Sequence, residues 1–290
     1  LKLPHLEEAI VHVCTAVRHH PDNGLYRHNF AVLLAANAQW GQAASEARAA
    51  VRLTPNDAQT HFLLGKILRT LDDRKGQIAE YRAAIRIRPD YREAFEALGN
   101  ALIEEEDWDR AVAALRAALS LKPEKPKEER SVEDLHGDIG YALRQKGDLN
   151  GALAEYRLAL ATGSFFSGRN HLAIGHILTE KGDLTGAIKE YREAVRLESK
   201  YGELYVVNER LYLAHALTRT GDLDGAIAEV RLVRKRRDYY DFICGARIAG
   251  MYSHVEPAFR ELLQKIPNVP ENREVIEFVQ VILREDKCAG

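Results

Sequence analysis

An all-α solenoid, one antiparallel helix pair repeated along the chain, is the fold class this sequence predicts. Three observations carry that prediction. Pro21, Pro55, Pro89 and Pro123 follow one another at intervals of 34 residues. Within the intervals a second spacing recurs, twelve residues and then four, as in Gly65–Gln77–Tyr81 and Gly99–Ala111–Leu115. That spacing outlasts the prolines: it returns at Gly140–Ala152–Tyr156, Gly175–Ala187–Tyr191 and Ala214–Ala226–Val230. A period of this length marks units that cannot bury their apolar faces alone and do so by stacking on their neighbours.

The elements follow in order. Residues 1–23 hold only the second helix of a unit, with Ala9, Val13, Ala16 and Pro21 in register. Residues 24–125 hold three regular repeats, at 24–57, 58–91 and 92–125. Pro-Lys-Glu-Glu-Arg-Ser-Val at 126–132 is an insertion, which extends the preceding helix or follows it as a polar loop. Residues 133–240 hold three more repeats with irregular junctions, at 133–166, 168–201 and 207–240. Between the helices of these later units stand Gly147-Asp148-Leu149, Gly182-Asp183-Leu184 and Gly221-Asp222-Leu223. Glycine suits the left-handed residue that ends a helix, and aspartate caps the start of the next. Phe165 and Phe166 replace a proline turn and are expected to plug the gap between repeats. Residues 202–206 are expected to lengthen the following first helix. Residues 241–290 read as a divergent helix pair, 242–252 and 255–265, then an amphipathic capping helix at about 271–285.

The pattern Leu98-Gly99 with Leu102, then Ala111, Leu115, Ala118 and Pro123, resembles the tetratricopeptide repeat (TPR) family. The resemblance implies a right-handed superhelix with the first helices on its concave face. It also implies that positions two, five, nine, twelve and thirteen of each unit line a binding groove. Those positions give, as candidate partner-binding residues, Lys66, Arg69, Asn100, Tyr141, Arg144, His176, Asn208, His215 and Arg219. Such a polar, partly cationic lining suits a partner protein or an extended peptide, one with acidic groups held by charge-assisted bonds.

Two specialised TPR groove types are not matched. The carboxylate clamp of chaperone-binding members needs a Lys/Asn set across three successive repeats, and here Lys66 and Asn100 stand alone. The asparagine ladder of O-linked N-acetylglucosamine transferases falls at position six, which here reads Asn29, Leu63, Ala97, Asp138, Ala173 and Tyr212.

The remaining chemistry is sparse. A formal net charge of −2 with 46% hydrophobic residues describes an ordinary folded chain and gives no global argument for nucleic acid. The basic run Arg231 to Arg237 is the one local cluster for a phosphate or nucleic-acid contact. It better suits a solvated helix end, where cations favour the helix dipole and Glu229, Asp238 and Asp241 partly offset it. No apolar run approaches the roughly 18 residues that cross a bilayer, so no membrane partner is expected. Cys14, Cys244 and Cys288 lie far apart without metal-ligand spacing, and His176 and His215 lack a clear third ligand, so no metal and no cofactor is expected. No nucleophile elbow, phosphate loop, zinc-protease motif or dinucleotide fingerprint occurs, so the chain is not expected to be an enzyme by itself. Its mid-repeat start, Leu1-Lys2-Leu3-Pro4, reads as a fragment. On that reading it could be the substrate-recruiting arm of a larger enzyme, and the truncated edge at Leu3, Leu6 and Ile10 offers self-association.

Overall fold

A computed structural model describes residues 5–122, 132–162, 167–201, 207–234 and 259–283. Among these every regular element is helical. The regular repeats give α2 (Gly24–Ala36) with α3 (Trp40–Leu53), α4 (Ala58–Thr70) with α5 (Arg74–Ile87), and α6 (Arg92–Glu104) with α7 (Trp108–Ser120). They are preceded by the lone α1 (Leu6–His19). The later repeats give α8 (Val132–Gln145) with α9 (Leu149–Ala161), α10 (Ser167–Glu180) with α11 (Leu184–Glu198), and α12 (Val207–Thr220) with α13 (Leu223–Arg234). Residues 259–265 are helical (α14), and a short 3-10 turn, Pro270–Asn272, leads into α15 (Arg273–Ile282). Two compact units form, Leu1–Ala152 and Leu153–Gly290.

Helices pack in sequential antiparallel pairs, and second helices also pack on the next first helix, as α3 on α4, α5 on α6 and α11 on α12. The cores follow that order. Ala31, Leu34, Ala43, Ala47, Leu64 and Ile67 tie α2, α3 and α4 together, while Tyr81, Leu98, Leu102, Ala111 and Ala114 tie α5, α6 and α7. Small residues set the approach of the two helices within a pair. A Cβ on Gly65 would lie 2.5 Å from the Tyr81 ring, and one on Gly175 would lie 2.4 Å from the Tyr191 ring. Only a residue without a side chain lets these tyrosines fill the crossing.

Two turns punctuate the array. Between repeats, the residue before proline accepts a hydrogen bond from the residue three positions on, as in Asn23 N–H to His20 O, Asp57 N–H to Thr54 O and Tyr91 N–H to Arg88 O, each 3.1 Å. Proline at the second position suits such a turn because its φ is already set. Within repeats, each first helix ends in a left-handed residue, followed by an N–H that reaches back to a leucine carbonyl five residues earlier. Examples are Asp73 to Leu68 at 3.0 Å and Asp183 to Leu178 at 2.8 Å. The left-handed residue is Gly147, Gly182 or Gly221 in the later repeats, and Ala38, Asp72 or Glu106 in the first three. Asp73, Asp107, Asp148, Asp183 and Asp222 then cap the second helix, each accepting from the N–H three residues on. Gln39 makes no such cap.

Some junctions differ from expectation. The third second helix is not extended, since α7 ends at Ser120, and Val132, assigned by sequence to the insertion, is the first residue of α8. Phe165 and Phe166, residues 202–206 and residues 242–252 lie outside the described residues. A helix, α15, lies within the stretch read as a C-terminal cap, with Val275, Phe278 and Val279 buried. At the other end Leu6 and Ile10 are half-buried and Leu3 lies outside the described residues.

Candidate functional site

The first unit carries five of the sequence-selected residues. Lys66 is exposed on α4 with its ammonium 5.6 Å from the ring centre of Phe62, one turn earlier, a cation–π contact that holds the side chain along the helix. Arg69 is exposed nearly one turn later. It also acts inward: burial pushes the Tyr81 phenol up, and the Arg69 charge opposes that shift. Asn100 is half-buried on α6. On α8, Tyr141 is 44% exposed and meets Trp108 edge-on at 6.2 Å, with the half-buried Arg144 three residues on. Since α2 packs against α4 and α6 against α8, first helices follow one another along one side of this unit.

Beneath that side lies a buried polar relay. His28 Nδ1 is 2.8 Å from the hydroxyl of the fully buried Thr60, and that hydroxyl donates to the Asp57 carboxylate. The hydroxyl proton is thus committed, so Nδ1 is the donor to Thr60. Burial pulls the His28 pKa down, and the Asp57 charge only partly opposes this.

The second unit carries the other four, and they do not share one environment. His176 is half-buried within a ring cluster. Its ring meets Tyr212 edge-on at 4.1 Å and Tyr191 at 5.6 Å, and its Nδ1 is 3.3 Å from the Tyr191 hydroxyl. That hydroxyl also bonds Thr179 Oγ1 at 3.0 Å. Asn208 is half-buried and Arg219 exposed. His215, expected on the open groove, is instead buried, only 9% exposed. Burial, reinforced by Arg219, lowers its pKa to about 4. The α14 segment brings Glu261 into electrostatic contact with it, so position nine of the last repeat faces protein rather than solvent. Among the described residues no group of three or more His, Cys, Asp or Glu side chains is placed to hold a metal ion.

Sequence reasoning missed two features. The first is a periodic tie between the helices of a pair. A basic residue at position four meets a glutamate nineteen residues later: Arg27–Glu46 at 2.7 Å, His61–Glu80 at 2.6 Å, His171–Glu190 at 2.6 Å and Arg210–Glu229 at 2.7 Å. That spacing was legible, and His136 and Glu155 share it. The second is Glu209 on α12, buried to 8% exposure, its pKa raised to about 7 by burial with a smaller contribution from Glu198. No sequence signal marks it, because position three of an amphipathic helix does not announce a buried acid.

The basic run is partly spent. Arg231 donates to the Glu271 carbonyl at 2.6 Å and to Asn272 Oδ1 at 2.9 Å, which fastens α13 to the turn before α15. Residues 235–237 lie outside the described residues. No described helix is long and apolar enough to cross a membrane.

An array of paired helices with Gly at the crossing, a left-handed turn between them and proline between units defines a helical-repeat protein. The chain belongs to the tetratricopeptide repeat family, whose sequence patterns match residues 28–92, 96–165 and 168–201, more than half of its length. Solved structures agree on the fold. The C-terminal part of a TPR repeat-containing protein from Cytophaga hutchinsonii superposes with a TM-score of 0.66 at 14% identity, covering 82% of this chain and 94% of that one. YrrB, described as a TPR protein with an unusual peptide-binding site, gives 0.56 at 19% identity, covering 64% and 92%. The MamA protein gives 0.55 at 19%, covering 61% and 92%. Comparison with curated proteins gives no match.

Proposed function

We propose that this protein is an interaction scaffold whose first-helix face receives an extended, acidic segment of a partner protein. The observation that carries the reading is the pairing of exposed Lys66 and Arg69 on α4 with exposed Tyr141 and half-buried Arg144 on α8, all within one unit. Cations beside half-exposed rings suit carboxylates and the apolar stems between them, and charge-assisted bonds to such groups are the strong ones. TPR proteins typically mediate protein–protein interactions, and the matched family covers this face. In the second unit, the His176–Tyr212 pair with exposed Arg219 supplies a smaller aromatic and cationic patch of the same kind. The half-buried Asn100 and Asn208 take a smaller part in the contact, and the buried His215 takes none.

Capture of partners by immobilised wild type and by the Lys66→Glu plus Arg144→Glu variant tests the reading. The variant is expected to lose the partners that the wild type retains. Unchanged recovery would sink the first-helix face as the binding surface.

A further inference from the structure

The twenty-fifth residue of every complete repeat is arginine: Arg48, Arg82, Arg116, Arg157, Arg192 and Arg231. In repeats 1 and 2 another follows one turn later, Arg52 and Arg86. Within the first unit Arg48, Arg52, Arg82, Arg86 and Arg116 are all exposed, on the second helices α3, α5 and α7. They stand opposite the buried alanines that pack each helix on its neighbours, Ala43, Ala47 and Ala50 in α3 and Ala84 in α5.

On α3 and α5 few acids answer these arginines. Glu46 and Glu80 are the only acids of α3 and α5, and both are committed to the inter-helix ties with Arg27 and His61. Arg48 reaches Asp73 only at 3.9 Å, between half-exposed side chains. Among the described residues no ion-pair partner serves Arg52, Arg82 or Arg86. Ser45 and Ala79, the exposed residues nearly one turn before Arg48 and Arg82, are small, so another backbone can come close.

A cavity of about 580 Å³ opens beside this ladder, lined by Pro55, Asn56, His61, Ala83, Arg86 and Ile87. Both His61 nitrogens are already engaged, by Glu80 at 2.6 Å and the Pro55 carbonyl at 3.1 Å. What remains is an aliphatic wall of Pro55, Ala83 and Ile87 with the Asn56 side chain and one guanidinium, which suits a large apolar side chain next to a carboxylate. No exposed aromatic ring lies on α3, α5 or α7 to stack a base, which favours protein over nucleic acid.

We propose that the second-helix face of the first unit is a separate docking surface for an acidic protein segment. Its carboxylates meet Arg48, Arg52, Arg82 and Arg86, and one large apolar side chain enters the cavity beside Ile87. In the second unit Arg157 and Arg192 are likewise exposed, but Arg231 is bound to the turn before α15 and Arg196 is paired with Glu193 at 2.8 Å, so the doubled ladder of Arg48/Arg52 and Arg82/Arg86 does not recur there.

The test uses the full chain and a short fluorescein-labelled Asp/Glu peptide with one central Phe, read by anisotropy at low and moderate salt. The probe is expected to bind, and Arg82→Glu with Arg86→Glu to weaken it by about tenfold or more. Replacing the probe's Phe by Ser is expected to weaken it about fivefold. Because the first-helix face is itself proposed to take acidic segments, the same loss is also read in a Lys66→Glu, Arg69→Glu background, where the probe is expected still to bind, which separates this surface from the groove. Circular dichroism and thermal unfolding check the double variant's fold, and Arg82→Gln with Arg86→Gln stands in should the glutamates disturb it. Absence of binding, loss through the Lys66/Arg69 variant alone, or indifference to the Phe would each overturn the proposal. So would equal binding of a single-stranded DNA oligonucleotide.

Discussion

The first three repeats and the last three close the same turn with different residues. Ala38, Asp72 and Glu106 hold φ near +57° in the first three, and Gly147, Gly182 and Gly221 hold φ between +82° and +90° in the last three. The helix-ending hydrogen bond is the same in both sets, from the residue after the turn to a leucine carbonyl. Left-handed backbone costs a residue with a Cβ roughly 1–2 kcal/mol that glycine avoids. Yet the geometry does not yield. Packing of the two helices around Tyr81 or Tyr191 dictates the turn, and local preference only sets how much strain accompanies it. The first three repeats carry their strain inside the unit and keep regular proline turns between units. The last three relax the inner turn and carry Ser164, Ser199 and Asp238 where the earlier repeats carry proline.

The largest test of this comparison lies at the crossings, which the two halves share. Gly65→Leu and Gly175→Leu are each expected to cost about 3 kcal/mol or more, because the new side chain would overlap a buried tyrosine ring. Chemical denaturation reads the loss. Tolerance in one half only would show that its helix spacing is not held by the tyrosine.

Protonation separates the halves next. Burial raises the Glu209 pKa to about 7, so the folded protein holds that proton more tightly than the unfolded chain. Stability from this group is therefore present below about pH 4.5 and lost as pH rises through about 7. Glu209→Gln is expected to stabilise the protein at pH 8 by on the order of 2–3 kcal/mol, with little change at pH 4. His215 has the opposite sign: its pKa is lowered to about 4, so its contribution is present above pH 6.5 and lost as pH falls. The two slopes offset each other between, and Glu209→Gln should expose the His215 limb in a pH–stability profile. A profile with no acid slope in that variant would contradict the burial of His215.

Exchanging the turn residues reads the comparison directly. Gly182→Ala is expected to cost about 1–2 kcal/mol and Glu106→Gly to gain roughly 0.5–1 kcal/mol, less than the strain relieved because glycine loosens the unfolded chain. Equal signs in thermal melts would mean that the turn geometry adapts to its residue. The smallest effect is a cap. Gln39→Asp should supply the N-terminal bond that five other second helices have, worth about 0.5–1 kcal/mol in the same melts.

Much of this molecule was legible along the chain. The spacing of prolines, crossing glycines and Gly-Asp-Leu turns placed the helix pairs of all six complete repeats, because each residue answers a local demand of backbone or close packing. The left-handed Ala38, Asp72 and Glu106 were not legible, since nothing in an alanine or a glutamate announces positive φ. The candidate site was read by position alone, and that succeeded for Lys66, Arg69 and Tyr141, which are exposed on first helices. It failed for His215, because the α14 segment that brings Glu261 to it lies some forty residues further on. The charge ties at a spacing of nineteen and the arginine at position twenty-five were present in the letters, but no local rule asks for them.

The sequence by itself determined a TPR array and its helix-pair period, because periodicity and backbone chemistry act over a few residues. Only tertiary structure decided which polar groups stay open to a partner. It buried Glu209 and His215, joined His176 to Tyr191 and Tyr212, spent Arg231 on the C-terminal turn, and left Arg52, Arg82 and Arg86 exposed. The physical reason is that exposure and pairing belong to neighbours brought together by stacking, and a repeat pattern specifies the stack without specifying what each position will face.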